Sequence, residues 1–444
     1  MQQGYLIFEG IECVYSKLDN CIIIIPKNQE DIRKLYQNCT KTNFVLEYEH
    51  NIYKKSYVYI EKIIPRIDNT FCFSTKYNVD LIGDYEINGF IMTGDDIDVF
   101  FSPTRYFFHK KRSGKVLSTE LLYDKEEVNN FKFNYNGIDI SVSLYYGEML
   151  NEGIRSDLML HPKLDVKFDK TKDINFIFGV YSTIIKFLQI VRYQKNYNLK
   201  PVVIYGPTEK VEKSHLGELY SKPYNIKYYR KTSSSEYIYF EPFISQLLQL
   251  ASDDIGFSIR HLPSEEDDLF KYDVIRYLSV FSAFEYECNK NADEYLNISD
   301  ELVKNIKKDL QRKIREMKIN ASNNEEKNFL SNAYARIAQL GTQYGQERKI
   351  INAYNKLEGI IKDSMSFLFP RGYKIKEVAS NLTKLRGKIA HDNLYRDLTE
   401  DELRNIRFMD VICYILLLKR AGIDDCNIEL IIGAVFQCNF KYME

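Results

Sequence analysis

Residues 384–393, with the sequence KLRGKIAHDN, contain an arginine and a histidine whose chemistry suits cleavage of a phosphodiester bond. Histidine titrates near neutral pH, so His391 could take a proton from a 2′-hydroxyl or give one to a leaving 5′-oxygen. The planar guanidinium of Arg386 could hold the non-bridging phosphate oxygens while negative charge develops on them. This chemistry requires no metal ion, and RNA is the substrate that supplies a 2′-hydroxyl.

The spacing of the two residues sets a geometric problem. Arg386 and His391 are five positions apart, which on an ideal helix leaves them about 140° apart around the axis. They could meet if Asp392 and Asn393 end the helix and let His391 turn. They could also meet if two copies of the helix face each other across a twofold axis, with two arginines and two histidines around one cleft. The alternative is a surface arginine and a helix-terminal histidine that caps carbonyl groups.

The surroundings of this segment resemble those in a known family. A helix is predicted around residues 276–285, RYLSVFSAFE, about 100 residues before the segment in a helical C-terminal region. This combination resembles the HEPN superfamily, whose signature is Arg, four to six residues, then His. The first helix is similar to the opening helix of the ApeA-like branch, and residues 90–103, FIMTGDDIDVFFSP, are similar to part of the β-rich domain that precedes it there. The resemblance covers roughly residues 265–440 at the level of helix order.

The resemblance implies a metal-independent endoribonuclease that acts as a homodimer in bacterial anti-phage defence or abortive infection. Arg386 and His391 would be the catalytic residues, with Glu285, Asp392 and Asn393 in supporting roles. Glu285 could orient Arg386 from the first helix, and an ordinary glutamate on the helix face is the equal alternative. The substrate would be RNA, tRNA being one candidate, and the N-terminal domain would respond to a phage-derived or nucleotide trigger. No cofactor, metal or membrane partner is expected. A second hypothesis keeps the HEPN fold as a non-catalytic module for dimerisation or nucleotide binding.

The position after the motif arginine departs from the family pattern. It is commonly polar, whereas here it is Gly387, so a supporting side chain is absent. Glycine inside a helix costs about 1 kcal/mol relative to alanine, which suggests either a close helix approach or substrate access at this position.

Local charge is compatible with an anionic ligand near the motif. Between residues 371 and 388 six cations stand against the single acid Glu377, and residues 304–318 are similarly basic. A solvated charged face explains these runs as well as an RNA track does. The predicted RNA-binding residues are Lys374, Lys376, Lys384 and Lys388.

Length and composition limit the class of protein. A chain of 444 residues suggests two or three domains, and a net charge of -1 excludes a protein that coats nucleic acid through bulk charge. The longest apolar runs, residues 21–25 and 411–418, are far below the roughly 18 residues that cross a bilayer, and no signal peptide is recognisable. Eight cysteines without a CxxC pair indicate neither a disulfide scaffold nor a zinc knuckle. A cytoplasmic location is expected.

The hydrophobic periodicity predicts an α+β multidomain protein, in which a β-rich N-terminal domain precedes an all-α bundle of the HEPN type. The sequence HLPSEEDD at residues 261–268 marks the boundary between a sensor or regulatory domain (1–262) and a helical domain (265–444). Helices are expected in the first domain near 30–36, 175–193 and 243–251. Short strands are expected at 5–8, 21–25, 57–64, 71–73, 89–92, 99–101, 131–133, 138–144, 202–205 and 226–229. Six or seven helices are expected beyond residue 268, one of them with a Thr399–Glu402 capping box and Gly422 after its last turn.

A third hypothesis places metal-dependent nuclease chemistry in the N-terminal domain. Asp95, Asp96 and Asp98 could bind a divalent cation, although a turn with solvated acids explains them better because no EF-hand spacing follows. The triplet 165–167, Asp-Val-Lys, has the shape of a nuclease motif but occurs often by chance. Residues 109–115, HKKRSGK, form a basic segment that lacks the pattern of a P-loop. The remaining histidines have no ligand-like neighbours in the sequence and are expected to be structural: His50, His161, His215 and His261.

Overall fold

The structure is a computed structural model that divides into two compact units. One comprises residues 1–255 and 262–267, and the other residues 256–261 and 268–444. The first unit is built mainly from strands and the second from helices, so the predicted α+β class is confirmed at that level. The structure describes residues 2–18, 21–48, 55–101, 107–112, 115–121, 129–149, 159–209, 211–221, 235–253, 256, 258–290, 301–339, 346–391 and 397–436.

A large antiparallel sheet of twelve strands organises the first unit. Its central path runs in the order β1-β2-β3-β6-β14-β13-β7-β12-β11-β10, and β5 pairs with both β4 and β6. A separate two-stranded ladder joins β8 to β9. The strands are β1 Gln2–Phe8, β2 Ile11–Leu18, β3 Cys21–Pro26, β4 Thr42–Tyr48, β5 Lys55–Pro65, β6 Phe71–Leu81, β7 Ile87–Met92, β8 Phe107–Arg112, β9 Lys115–Leu121, β10 Asn129–Tyr135, β11 Ile138–Met149, β12 Met159–Thr171, β13 Val202–Gly206 and β14 Ser214–Ser221.

The helices of the first unit cover the sheet. They are α1 Ile32–Asn38, α2 Asp95–Phe100, α3 Ile174–Arg192, α4 Ser235–Phe240 and α5 Ile244–Ser252. Helix α3 begins at Asp173, whose carboxylate accepts the backbone N–H groups of Asn175 and Phe176. By length and composition α3 could span a membrane. However, 72% of its apolar 18-residue stretch is buried in the structure, as in the core helix of a soluble protein.

The predicted strand at residues 99–101 is wrong, because these residues complete and follow α2. Gly94, with φ at 142°, starts the helix, and its carbonyl accepts the backbone N–H groups of Ile97 and Asp98. Acids in the first turn also favour a helix N-terminus. The predicted strand at 226–229 lies outside the described residues.

One edge of the large sheet is closed by side chains. On the edge strand β10, the backbone N–H groups of Lys132 and Asn134 donate to Ser245 and Gln249 of α5. The carbonyl of Asn134 accepts from Gln249 and Ser252. These bonds satisfy backbone groups that a neighbouring strand would otherwise pair.

The second unit is a helical bundle around one buried helix. Helix α11 (Glu400–Arg420) has thirteen buried residues and forms the centre of the unit. It contacts α6 (Val274–Lys290), α9 (Gln346–Leu368), α10 (Ile375–His391) and α12 (Asp425–Val435). The predicted capping box at Thr399 and Glu402 is present, and Gly422 has the expected positive φ of 79°. The helices are α6 Val274–Lys290, α7 Glu301–Ile319, α8 Asn324–Gln339, α9 Gln346–Leu368, α10 Ile375–His391, α11 Glu400–Arg420 and α12 Asp425–Val435.

Two buried ionic networks tie α11 to its neighbours. Asp410, fully buried on α11, accepts from the Tyr272 hydroxyl at 2.8 Å and from the Arg276 guanidinium at 3.0 Å. At the other end of α11, Arg420 donates at 2.9 Å to Glu287, which is buried on α6. Removing one partner of such a buried pair is strongly destabilising, so these networks fix how α6 packs on α11.

Candidate functional site around Arg386

Helix α10 places Arg386 at the border of its buried face. The helix packs through an apolar stripe at the spacing expected for one helix face. Arg386 lies beside this stripe, and its side chain is 46% exposed. The guanidinium is therefore anchored close to the core but remains accessible from solvent. The stripe consists of Val378, Ala379, Leu382, Leu385 and Ile389.

Helix α6 supplies the residues that contact α10. Tyr277, Phe281 and Glu285 follow one another at intervals of four, so they share one face of α6. The Tyr277 hydroxyl donates to the carbonyl of Leu382 at 2.6 Å. Burial raises the pKa of Tyr277, and the nearby Arg386 offsets part of this rise. Tyr277 therefore keeps its proton and holds α10 in place by this hydrogen bond.

The guanidinium of Arg386 is held from two sides. It lies over the Phe281 ring at 5.1 Å from the centroid, a cation–π distance. One of its nitrogens is 3.6 Å from a carboxylate oxygen of Glu285, which makes an ion pair longer than a hydrogen bond. The amide of Gln346, the first residue of α9, donates to the other carboxylate oxygen of Glu285. Three helices thus orient one exposed cation, whose N–H groups remain accessible to donate to phosphate oxygens.

His391 is the last residue of α10, so the helix runs without a break from Arg386 to His391. The offset of about 140° expected for an ideal helix therefore applies to the two backbone positions. The His391 side chain, Asp392 and Asn393 lie outside the part of the structure that is described.

The four predicted RNA-binding lysines fall into two groups. Lys384 and Lys388 are exposed on the last turns of α10 and flank Arg386 in the sequence. Helical geometry places them within about 60° of position 391 around the axis. Lys374 and Lys376 are exposed at the other end of the helix, about 15 Å or more along the axis from Arg386. Lys374 is paired there with Glu377 at 2.9 Å.

Gly387 faces open space. A Cβ added at this position would meet no described atom within 4 Å. Among the described residues no close helix contact requires a glycine here.

The three acids proposed as a cation site have separate protein partners. Asp96 is buried and accepts the backbone N–H of Asn198, while Asp95 accepts the side-chain amide of the same residue at 2.7 Å. Asp98 instead faces His161 at 3.3 Å. Burial raises the pKa of Asp98, and His161 offsets part of the rise. The three carboxylates therefore do not converge on one point.

Asp165 of the 165–167 triplet is also occupied by protein groups. It accepts from the Tyr205 hydroxyl at 2.6 Å and from Lys213 at 2.9 Å, and Lys167 lies 3.6 Å away. Within the described ranges, no group of three or more His, Cys, Asp and Glu side chains is placed to hold a metal ion. The side chains of residues 109–115 lie outside those ranges.

Two of the histidines expected to be structural have partners that the sequence did not indicate. His261 is buried 3.4 Å from Asp410, and His161 faces Asp98. His215 is exposed on β14, and His50 is not among the described residues.

Phe281, Tyr277 and Gln346 belong to the site but were missed in the sequence. The interval of four that links Tyr277, Phe281 and Glu285 was the available signal for the first two. Gln346 carried none, because it is 61 residues from Glu285.

Comparison of the chain with protein-family models, with curated proteins and with solved structures finds no match.

Proposed function

We propose that the protein is a metal-independent endoribonuclease of the HEPN type, with Arg386 and His391 as catalytic residues in a dimeric cleft. The observation that carries the proposal is the setting of Arg386. A partly exposed guanidinium on the helix that ends in His391 is oriented by Glu285 and Phe281 of α6. The exposed Lys384 and Lys388 lie on the side of α10 that carries position 391.

The reaction follows from the chemistry of these groups. The substrate's 2′-oxygen attacks the adjacent phosphorus and loses its proton to a base, while the bond from phosphorus to the 5′-oxygen breaks. The leaving 5′-oxygen takes up a proton, so the products are a 2′,3′-cyclic phosphate and a 5′-hydroxyl. The His391 imidazole can take the proton from the 2′-hydroxyl or give one to the leaving 5′-oxygen, with water as the other proton-transfer partner. Arg386 stabilises the charge on the non-bridging oxygens.

The proposed setting is the cytoplasm, in bacterial anti-phage defence of the ApeA-like type. The resemblance of residues 276–285 and 90–103 to that branch supports this part of the proposal. The strand-rich unit would then respond to a phage-derived or nucleotide trigger. The dimer would form through the helical unit, with α10 near the twofold axis.

The test is incubation of the purified protein with total tRNA, with and without EDTA. We expect cleavage in EDTA, products that end in 2′,3′-cyclic phosphate and 5′-hydroxyl, and no cleavage of DNA or 2′-O-methyl RNA. His391→Ala should abolish cleavage, and Arg386→Lys should impair it severely because an ammonium lacks the planar fork. Products with 5′-phosphate, or activity lost on chelation, would refute the mechanism.

The matched control is His215→Ala, which removes an exposed histidine from the strand-rich unit and should cleave at the wild-type rate.

An inactive wild type that still binds a nucleotide or dimerises would favour the second function, a non-catalytic HEPN-fold module. The ion pair between Arg386 and Glu285 is the observation that favours this alternative, because it partly neutralises the cation.

A further inference from the structure

Helices α7 and α8 form a two-helix hairpin whose main contacts are with each other. Ile314 of α7 and Leu330 of α8 are buried, whereas nearly every other described side chain of α7 is exposed or half-buried. The hairpin therefore presents both sides of α7 to solvent, and the two sides differ in chemistry.

One side of α7 carries a row of cations formed by Lys308, Arg312 and Arg315, here called the basic row. All three are exposed, and helical geometry places them within about 60° around the axis over a length of about 10 Å. Between residues 305 and 319 there are six Lys and Arg residues against two acids, a formal charge of +4. Arg312 pairs with Asp309 at 3.4 Å, but both side chains are more than 60% exposed, so this pair is weak.

Arg315 is held in place by the second helix of the hairpin. Its guanidinium lies 5.1 Å from the centroid of the Tyr334 ring and donates to the Tyr334 hydroxyl. A cation whose side chain is already ordered loses less entropy when it binds an anion.

The apolar side of α7 lies opposite the basic row. Ile306, Leu310 and Met317 are exposed there, at roughly 180° from the cations. A helix lying on an anionic membrane would bring its apolar side and flanking lysines to the lipid, and the basic row would then point away from the bilayer. This arrangement favours a polyanion that contacts the basic row alone.

We propose that the basic row of α7 is a second RNA-binding surface, outside the Arg386 site, that holds the phosphate backbone of the substrate. The proposal rests on RNA as the substrate of the proposed function. Contacts of this kind position a strand without reading its sequence. The substrate class is therefore an RNA that contacts both the Arg386 site and the hairpin.

The test measures binding of a fluorescein-labelled 2′-O-methyl RNA, which lacks the nucleophile, as a function of salt concentration. The double variant Lys308→Gln/Arg312→Gln should bind about tenfold more weakly. Its slope of log K against log salt should be smaller by about 1.4, which is about 0.7 for each lost phosphate contact on a single strand. The control Lys170→Gln/Lys362→Gln removes two exposed lysines elsewhere, with the same loss of charge, and should bind like the wild type.

The proposal would be overturned if the double variant Lys308→Gln/Arg312→Gln bound the RNA with the same affinity and the same salt slope as the control. It would also fail if Leu310→Ser weakened binding while the double variant did not, or if phosphatidylglycerol vesicles competed fully with the RNA. The two proposals fail separately. A wild type that binds through the basic row without cleaving RNA refutes only the nuclease, and cleavage unaffected by the double variant refutes only the RNA-binding row.

Discussion

Glu285 connects two residues that the sequence does not place together. Its carboxylate receives a hydrogen bond from Gln346 of α9 and pairs with Arg386 of α10. Its side chain is only 25% exposed, so the ion pair is screened less than a surface pair. In the proposed reaction we therefore expect Glu285 to be a positioning residue, which acts through the orientation of Arg386.

Glu285→Gln is expected to lower kcat for RNA cleavage about tenfold, or about 1.4 kcal/mol in the barrier, with a smaller change in KM. The amide keeps the size of the side chain but lacks the charge that orients the guanidinium. Steady-state kinetics on a short RNA would measure the effect. Glu377→Gln, which removes an exposed ion pair from α10, serves as the control. An unchanged kcat for Glu285→Gln would contradict the positioning role.

The buried Glu287 gives the helical unit a pH dependence of known sign. Burial raises the pKa of its carboxyl above the ordinary value of 4.5, and Arg420 and Ser258 offset part of the rise. A carboxyl with a higher pKa in the folded chain stabilises the fold most while it is protonated. Its contribution is lost as the pH rises from about 4.5 through the folded-state pKa.

Glu287→Gln removes this titration. We therefore expect the free energy of unfolding of the wild type to fall, relative to the variant, as the pH rises from about 4 to about 7. Urea unfolding at a series of pH values would measure the difference, with the exposed Glu61→Gln as control. A difference between wild type and Glu287→Gln that does not change with pH would show that the assignment is wrong.

Helix α10 contains a helix-destabilising residue beside its catalytic candidate. Gly387→Ala should raise the free energy of unfolding by up to about 1 kcal/mol, since alanine is the better helix former and the added methyl group meets no described atom. If substrate approaches over this position, the same variant should raise KM for RNA. Denaturant unfolding and kinetics test the two effects. A destabilised variant would mean that residues outside the described ranges, or a partner chain, pack against Gly387.

The helices of the second unit were largely predictable because their signals are local. The capping box at Thr399, Gly422 after the last turn, and apolar residues at helical spacing all act within a few residues. Six of the described strands were missed: β2, β4, β8, β9, β12 and β14. In β2 and β4 the exposed positions carry polar residues such as Glu12 and Glu47, which interrupt the apolar runs. Their hydrophobic alternation becomes recognisable only when one face is known to be buried.

Of the partners within the site, only the pairing of Arg386 with Glu285 was predicted, because the other partners depend on tertiary packing. Arg386 was identified from its type and spacing, and Glu285 from the resemblance to a family helix. The bonds from Gln346 to Glu285 and from Arg276 to Asp410 join residues 61 and 134 positions apart. No periodicity in a single sequence relates residues at such separations.

At the scale of the whole molecule, each unit has its own core, and the candidate chemistry lies in the helical unit alone. Arg386, Glu285, Gln346 and the basic row all belong to residues 268–444. The net charge of -1 over the full chain conceals the local excess of cations on α7 and α10. Charge distribution within a unit, and not the total, is therefore the property that bears on nucleic-acid binding.

The continuous helix from Arg386 to His391 leads to a prediction about the assembled dimer. Because α10 is continuous between them, the two positions are about 140° apart on an ideal helix, and we expect a productive pair to combine Arg386 of one chain with His391 of another. Arg386→Ala and His391→Ala should each be inactive alone. Mixed dimers of the two variants contain one intact pair across the twofold axis and should regain cleavage.

Mixing equal amounts of the two variants, with exchange of subunits, gives about half mixed dimers by random assortment. If one composite site suffices, activity should return to about a quarter of the wild-type value, measured as tRNA cleavage per chain. A mixture of His215→Ala with His391→Ala is the matched activity control and should give about half of the wild-type value with or without exchange, so subunit exchange is measured separately by energy transfer between labelled chains. If exchange is demonstrated and the first mixture remains inactive, the composite site across two chains is refuted.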